Sequence, residues 1–231
     1  MRLPEIKRLH LTNVTLPQTH PLAGDTCSVY AYLILHPDGP VLVDTGVGSG
    51  HEGIKQMYRP IGRPLEDALR DNGVGPHDIA AVVNTHLHFD HCGENRLFPE
   101  TPIYVQEREY QAAQEPAYTI PEWVDAAHLK YERLDGEAEI VPGLRLLPTP
   151  GHTAGHQSVL LEGEDGLAII AGQAAYTAQE FARSEEGHVP GLEGSWDEEL
   201  YLETIRRLRD LRPDRVYFSH DRAVWEQGAG N

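Results

Sequence analysis

With 231 residues, 40% of them hydrophobic and 24% charged, the chain is long enough to bury one substantial core and has the balance of a soluble globular protein, which excludes disorder, a solenoid of repeats and a collagen-like rod. A formal net charge of −17, from 36 acids against 19 bases, would repel a phosphate backbone; no basic patch offsets it, so nucleic acid is not an expected partner. No stretch approaches the ~20 apolar residues of a membrane span and the first residues lack the apolar core of an export signal, so the expected chain is cytoplasmic, has no membrane partner, and keeps its thiols, Cys27 and Cys92, reduced.

In chain order, apolar runs from Ser28 to Leu35 and from Val41 to Asp44, separated by Pro37-Asp38-Gly39-Pro40, predict a hairpin. Pro64 opens a predicted helix with Leu65, Ala68 and Leu69 on one face and Gly73 where a C-terminal glycine belongs. Ala80 to Val83 reads as a buried strand, and a histidine-rich run begins two residues after it. From Glu107 to Leu129 the pattern predicts helix in two pieces broken by Pro116 and Pro121. Leu144 to Leu147, Gln157 to Leu161 and Leu167 to Ala171 are predicted strands. Ser195 and Glu198 have capping-box spacing ahead of a helix striped by Leu200, Thr204, Leu208 and Leu211, on which Arg206, Arg207 and Arg209 form a solvated face. A last strand, Arg215 to Phe218, delivers Ser219-His220-Asp221. This order predicts an α+β fold with two facing sheets and helices outside, although the pattern alone also admits other αβ layers. No linker divides the chain, so one domain spanning 1–231 is expected.

The chemistry concentrates in His86-Leu87-His88-Phe89-Asp90-His91. Imidazole and carboxylate are natural ligands for zinc-like cations, and a turn after a buried strand can converge them. In a straight strand His86, His88 and Asp90 share one face; a turn lets His91 swing toward a second ion. The bland alternative is a group of histidines on a surface loop.

The run Thr85 to His91 resembles the HxHxDH signature of the metallo-β-lactamase superfamily. Asp44-Thr45-Gly46 resembles that family's Asp-Thr-Gly turn, Gly151-His152-Thr153-Ala154-Gly155-His156 its third-histidine motif, and Ser219-His220 its final histidine, so the resemblance covers residues 28 to 221. Within the superfamily the wording is most similar to the N-acyl homoserine lactonases, enzymes of quorum quenching. The resemblance implies an αββα sandwich of two mixed sheets, with a first metal on His86, His88 and His152, a second on Asp90, His91 and His220, and a bridging hydroxide. Zinc is the default ion, and iron, cobalt or manganese accept the same ligands. For His152 the alternative is a turn histidine, and for His220 a strand residue with no metal role. Asp44 is expected to orient the metal loops, His156 to hold a ligand in place or simply fill the core, and Cys92 to pack.

One position departs from the pattern. Where the lactonases carry an aspartate that bridges both ions, this chain has Gln173, whose neutral amide is a weak ligand or none, so the second ion is expected to bind less tightly. Tyr176 aligns with a tyrosine that faces the substrate carbonyl and is the expected oxyanion donor. The implied function is a metal-dependent hydrolase that opens a lactone ring, most plausibly of an N-acyl homoserine lactone, by attack of metal-bound hydroxide, with Asp90 passing a proton to the departing alkoxide. Met57, Tyr58, Ile61, Tyr118, Ile120 and Trp123 are candidates for an acyl pocket, or else core or oligomer contacts, a homodimer being one assembly open to the chain. Two other readings stand beside this one: hydrolysis of another ester, thioester or phosphodiester on the same metals, and a ligand-binding member of the fold in which Gln173 marks lost catalysis. No GxSxG elbow or Walker loop supports a serine hydrolase or a nucleotide hydrolase.

Overall fold

The computed structural model describes residues 2–20, 22–125, 128–183, 191 and 194–228. In chain order the elements are β1 (Glu5–Thr15), β2 (Thr26–Leu35), β3 (Val41–Val43), α1 (Glu52–Tyr58), β4 (Ile61–Gly62), α2 (Leu65–Arg70), β5 (Ala81–Val83), α3 (Phe89–Cys92), β6 (Pro102–Gln106), α4 (Glu107–Ala112), α5 (Pro121–Val124), β7 (Lys130–Leu134), β8 (Ala138–Val141), β9 (Leu144–Pro148), β10 (Gln157–Gly163), β11 (Gly166–Ile170), α6 (Ala178–Arg183), α7 (Glu198–Asp210), β12 (Arg215–Tyr217) and β13 (Trp225–Glu226). Among the described residues these strands form two sheets, ordered β4-β1-β2-β3-β5-β6-β7 and β13-β12-β11-β10-β9-β8. Both are mixed: β3, β5, β6 and β7 run parallel beside antiparallel β1 and β2, and β11 pairs parallel with β12 in an otherwise antiparallel sheet.

Side-chain alternation explains the layers. From the first sheet Tyr30, Tyr32, Ile34, Val41, Val43 and Val83 point inward against Leu144, Leu146, Val159, Leu161, Ala168 and Ile170 of the second, which makes the central core. The opposite face of the first sheet, with Leu9, Leu11, Leu33, Leu42 and Val82, packs on Leu65, Ala68 and Leu69 of α2. On the outer face of the second sheet, Leu160, Ile169 and Val216 meet Phe181 of α6 and Tyr201, Ile205 and Leu208 of α7. The order helix, sheet, sheet, helix is the αββα sandwich expected. Central strands buried on both faces read as continuous apolar runs, which is why β3 and β5 were legible.

Several local expectations are corrected. The long strand β1, which no local pattern marked, changes phase at a register shift between His10 and Thr12: Leu9 and Leu11 are buried up to it and Thr12 and Val14 beyond it, so the strand carries no single period-two signature. Pro121 opens α5 at its first turn instead of breaking a helix, and the helical pieces of the 107–129 segment are short; residues 126 and 127 lie outside the described residues. The cap of α7 is Asp197, whose carboxylate accepts from Leu200 N at 3.0 Å, so Ser195 and Glu198 form no capping box there. Its buried stripe is Tyr201, Thr204, Ile205 and Leu208, whereas Leu211 is 37% exposed. No helix among the described residues is long and apolar enough to cross a membrane.

Candidate metal centre

Strand direction decides where the polar residues meet. Strands β3, β5, β9, β11 and β12 all end at one edge of the sandwich, and just past those ends come Asp44, Thr85-His86, Thr149 to His152, Gly172-Gln173 and Ser219-His220. The donor atoms form two groups, His86 with His88 and His152, and Asp90 with His91 and His220; within each group the ligand atoms lie within 4.8 Å of one another.

In the first group His86 Nε2 and His152 Nε2 lie 3.1 and 3.2 Å from His88 Nδ1, so three ring nitrogens point at a common centre. Burial, followed by the mutual repulsion of neighbouring histidines, drives the pKa values of His86 and His152 well below the ordinary value. Burial likewise takes His88 to about 4. All three rings are therefore neutral at pH 7, with lone pairs free to bind a cation. In the second group Asp90 Oδ2 lies 3.6 Å from His91 Nε2 and 3.7 Å from His220 Nε2. Burial opposes the Asp90 charge, but His91, His220 and His88 outweigh it and lower its pKa.

The rings are oriented from behind. His91 Nδ1 donates to Asp44 Oδ2 at 2.8 Å and His220 Nδ1 donates to the Ser28 carbonyl at 2.8 Å, which turns both Nε2 atoms toward Asp90. His91 Nε2 is buried and makes no hydrogen bond of good geometry, although the Gln173 amide comes close enough to affect its pKa. Such an orphaned nitrogen, set in a cage of imidazole and carboxylate donors, fits a divalent metal ion. Asp44 adopts a left-handed backbone, φ 62°, and its carboxylate also accepts from Thr85 N at 2.8 Å and Thr85 Oγ1 at 2.9 Å. Thr85 Oγ1 in turn receives His86 Nδ1 at 3.2 Å, so one buried acid steers a histidine of each group. This is the orienting position expected for Asp44. The carbonyl of His91 is pinned by Thr45 N at 2.7 Å and Asn84 Nδ2 at 3.1 Å.

The other expected residues fall around this cage. His156 lies behind it, its Nδ1 on Thr149 Oγ1 at 2.8 Å and its Nε2 accepting from Gln173 N at 3.0 Å, so both ring nitrogens are used within the protein. Gln173 is buried, with its amide beside His91 and the Tyr176 hydroxyl. Tyr176 stacks on His220 at 5.3 Å between ring centroids and lies 6.1 Å from His152, which places it across both groups. Burial raises its pKa, so the phenol keeps its proton. Cys92 is buried, its Sγ directed to the Leu87 and His88 carbonyls at 3.3 Å, in the packing role expected. Of the acyl-pocket candidates, Tyr118 packs on His88 at 4.9 Å, Tyr58 on Phe89 at 4.3 Å, and Trp123 beside His51 at 6.0 Å. Met57 and Ile61 are 55% and 76% exposed, which fits neither core nor a formed pocket.

Sequence reasoning passed over Glu109. Its fully buried carboxylate accepts from Leu87 N at 2.8 Å, from Thr153 Oγ1 at 2.6 Å, and from the Tyr118 hydroxyl and Gly155 N. Burial raises its pKa, against the pull of those donors. A glutamate in the first turn of a short helix carries no local mark of this role; the one signal was Gly155 in the third-histidine motif. A Cβ there would sit 2.1 Å from Glu109 N and 2.5 Å from its Cα, so only glycine lets the loop reach α4. Gly155→Ala is expected to cost about 1–3 kcal/mol, the usual range for overpacking, as read by urea unfolding; an unchanged midpoint would mean the loop has slack.

Comparison with known proteins follows the same lines. The model of the metallo-beta-lactamase superfamily matches residues 24–220. N-acyl homoserine lactonases of a Bacillus species and of Bacillus cereus are 38% and 36% identical over 209 residues, which is 84% of this chain and 81% of theirs. Among solved structures, an N-acyl homoserine lactone hydrolase with the product N-hexanoyl-L-homoserine bound at its catalytic metal centre superposes with a TM-score of 0.81 at 30% identity, covering 96% of this chain and 95% of that one.

Proposed function

Since the chain belongs to the metallo-beta-lactamase superfamily, we propose that it is a metal-dependent hydrolase that opens the ring of N-acyl homoserine lactones, a quorum-quenching reaction. The observation that carries the proposal is the pair of adjacent ligand groups with Tyr176 lying across both. His86, His88 and His152 would hold one divalent ion, and Asp90, His91 and His220 a second, with zinc the default for such donors. Ions bound there would polarise an ester carbonyl and lower the pKa of a coordinated water.

The protein's own groups supply the rest. Tyr176, protonated and half-buried, donates to the oxygen that gains charge as the ring carbonyl is attacked. Asp90, ionised at neutral pH, can accept a proton and return it to the alkoxide released by the ring. Asp44, Thr85 and Ser28 hold the histidine tautomers through the cycle. The neutral Gln173 amide leaves the second group one negative charge short of a site with a carboxylate at that position, and for that reason we assign it the weaker ion. Because ligands come from both sheets, between Asp44 and His220, we treat the 231 residues as one catalytic domain.

The test is metal content per chain, with ring opening of a long-chain homoserine lactone followed by proton release, for the native protein and for Gln173→Asp. We expect turnover in both and a second ion retained through dialysis more fully by Gln173→Asp. Fewer than one metal per chain and no turnover in either would remove the lactonase reading and favour a binding protein.

A further inference from the structure

We propose that Glu109 is a positioning residue for one ion only, the one held by His86, His88 and His152, because its buried carboxylate ties together the two chain segments that supply those ligands. The inference rests on the ligand placement above and goes beyond it. Leu87, whose N–H Glu109 accepts at 2.8 Å, lies between His86 and His88; Thr153, whose hydroxyl it accepts at 2.6 Å, follows His152. Gly155 N–H anchors the far side of the same loop, and the Tyr118 hydroxyl brings that ring against His88. One oxygen pair thus fixes the spacing between the His86/His88 turn and the His152 loop.

None of these contacts supports the other group. His91 is held by Asp44, Thr45 and Asn84, and His220 by Ser28. Asp44 steers His86 through Thr85, yet its hydrogen bonds reach Thr85 and His91 and not the loop of His152. The chemistry of Glu109 is also hard to replace. All of its partners are donors, and a carboxylate is acceptor-only, whereas an amide of the same shape would turn two N–H bonds toward them.

The experiment measures Zn²⁺ affinity by competition with a chromophoric chelator, without any lactone, in two backgrounds that each keep one ligand group. His220→Ala leaves the three-histidine group intact, and His152→Ala leaves Asp90, His91 and His220. Adding Glu109→Gln should weaken Zn²⁺ binding on the order of 10–100-fold in the first background, the range for residues that support metal ligands from behind, and by less than about twofold in the second. Equal weakening in both, as a merely structural role would give, or no change in the first, overturns the proposal. Thr153→Ala, which leaves the carboxylate in place and removes one of its donors, is measured alongside and should weaken the first background alone, by severalfold. If Glu109→Gln does not fold, that result decides, and an unaltered affinity overturns the proposal. No Zn²⁺ binding in His220→Ala itself would overturn the ligand assignment and this inference together, while a failure confined to Glu109 leaves the assignment standing.

Discussion

His152→Ala is expected to lower kcat/KM for lactone opening by about 10³-fold or more and to remove one metal ion per chain while the protein stays folded. A loss of 10³ corresponds to about 4 kcal/mol of transition-state stabilisation, the scale of the several kcal/mol a Lewis-acidic ion contributes. The physical basis is ligand count. His86, His88 and His152 supply three neutral imidazoles to one centre, and two are too few for a catalytic zinc site. His152 reaches the cage from a loop of the second sheet, whereas His86 and His88 come from the first, so its removal opens the first group without touching the Asp44 hydrogen bonds. Elemental analysis, circular dichroism and steady-state kinetics on the variant check all three parts. Full activity with undiminished metal would show that His152 is a turn residue, its bland alternative.

Tyr176→Phe is expected to lower kcat by about 10²–10³-fold, or roughly 3–4 kcal/mol, with KM and metal content little changed. The phenol stacks on His220 and lies beside His152, and burial keeps it protonated, so it can donate to charge developing between the two groups. Its backbone N–H is already committed to Glu180 Oε2 at 2.7 Å, which holds the residue in place when the hydroxyl is removed. A donor used only in the transition state shows in kcat; one that merely grips the substrate shows in KM. A variant with native kcat and raised KM would reassign Tyr176 to binding, and one with native values for both would make it a packing residue.

Both expectations concern residues around the candidate ligands, which were legible in the chain to different degrees. His86, His88, Asp90 and His91 fall within one short run whose residue types point to metal by themselves, whereas His152 and His220 were joined to them through the resemblance to the family's motifs. The hairpin of β2 and β3, the buried β5 and the helix after Pro64 were legible because apolar runs, turn residues and helix signals act over a few positions. Where a longer-range partner sets the local structure, that reading failed. The register shift in β1 scrambles its alternation, and Asp197 captured the start of α7 from Ser195.

The sequence by itself therefore marked the histidine-rich run after a buried strand as a candidate metal site, and its resemblance to a family added His152 and His220 and singled out Gln173 as the departure. Only the tertiary structure decided what holds them. Asp44 meets His91 across 47 residues, Glu109 meets Thr153 across 44, and His220 meets Ser28 across 192. Such contacts depend on which strand ends share an edge of the sandwich, a property of sheet order and direction that no local pattern encodes. A buried carboxylate on a short helix looks like any surface glutamate until packing brings four donors to it, and that convergence separates the ligands named by the chain from the residues that keep them in place.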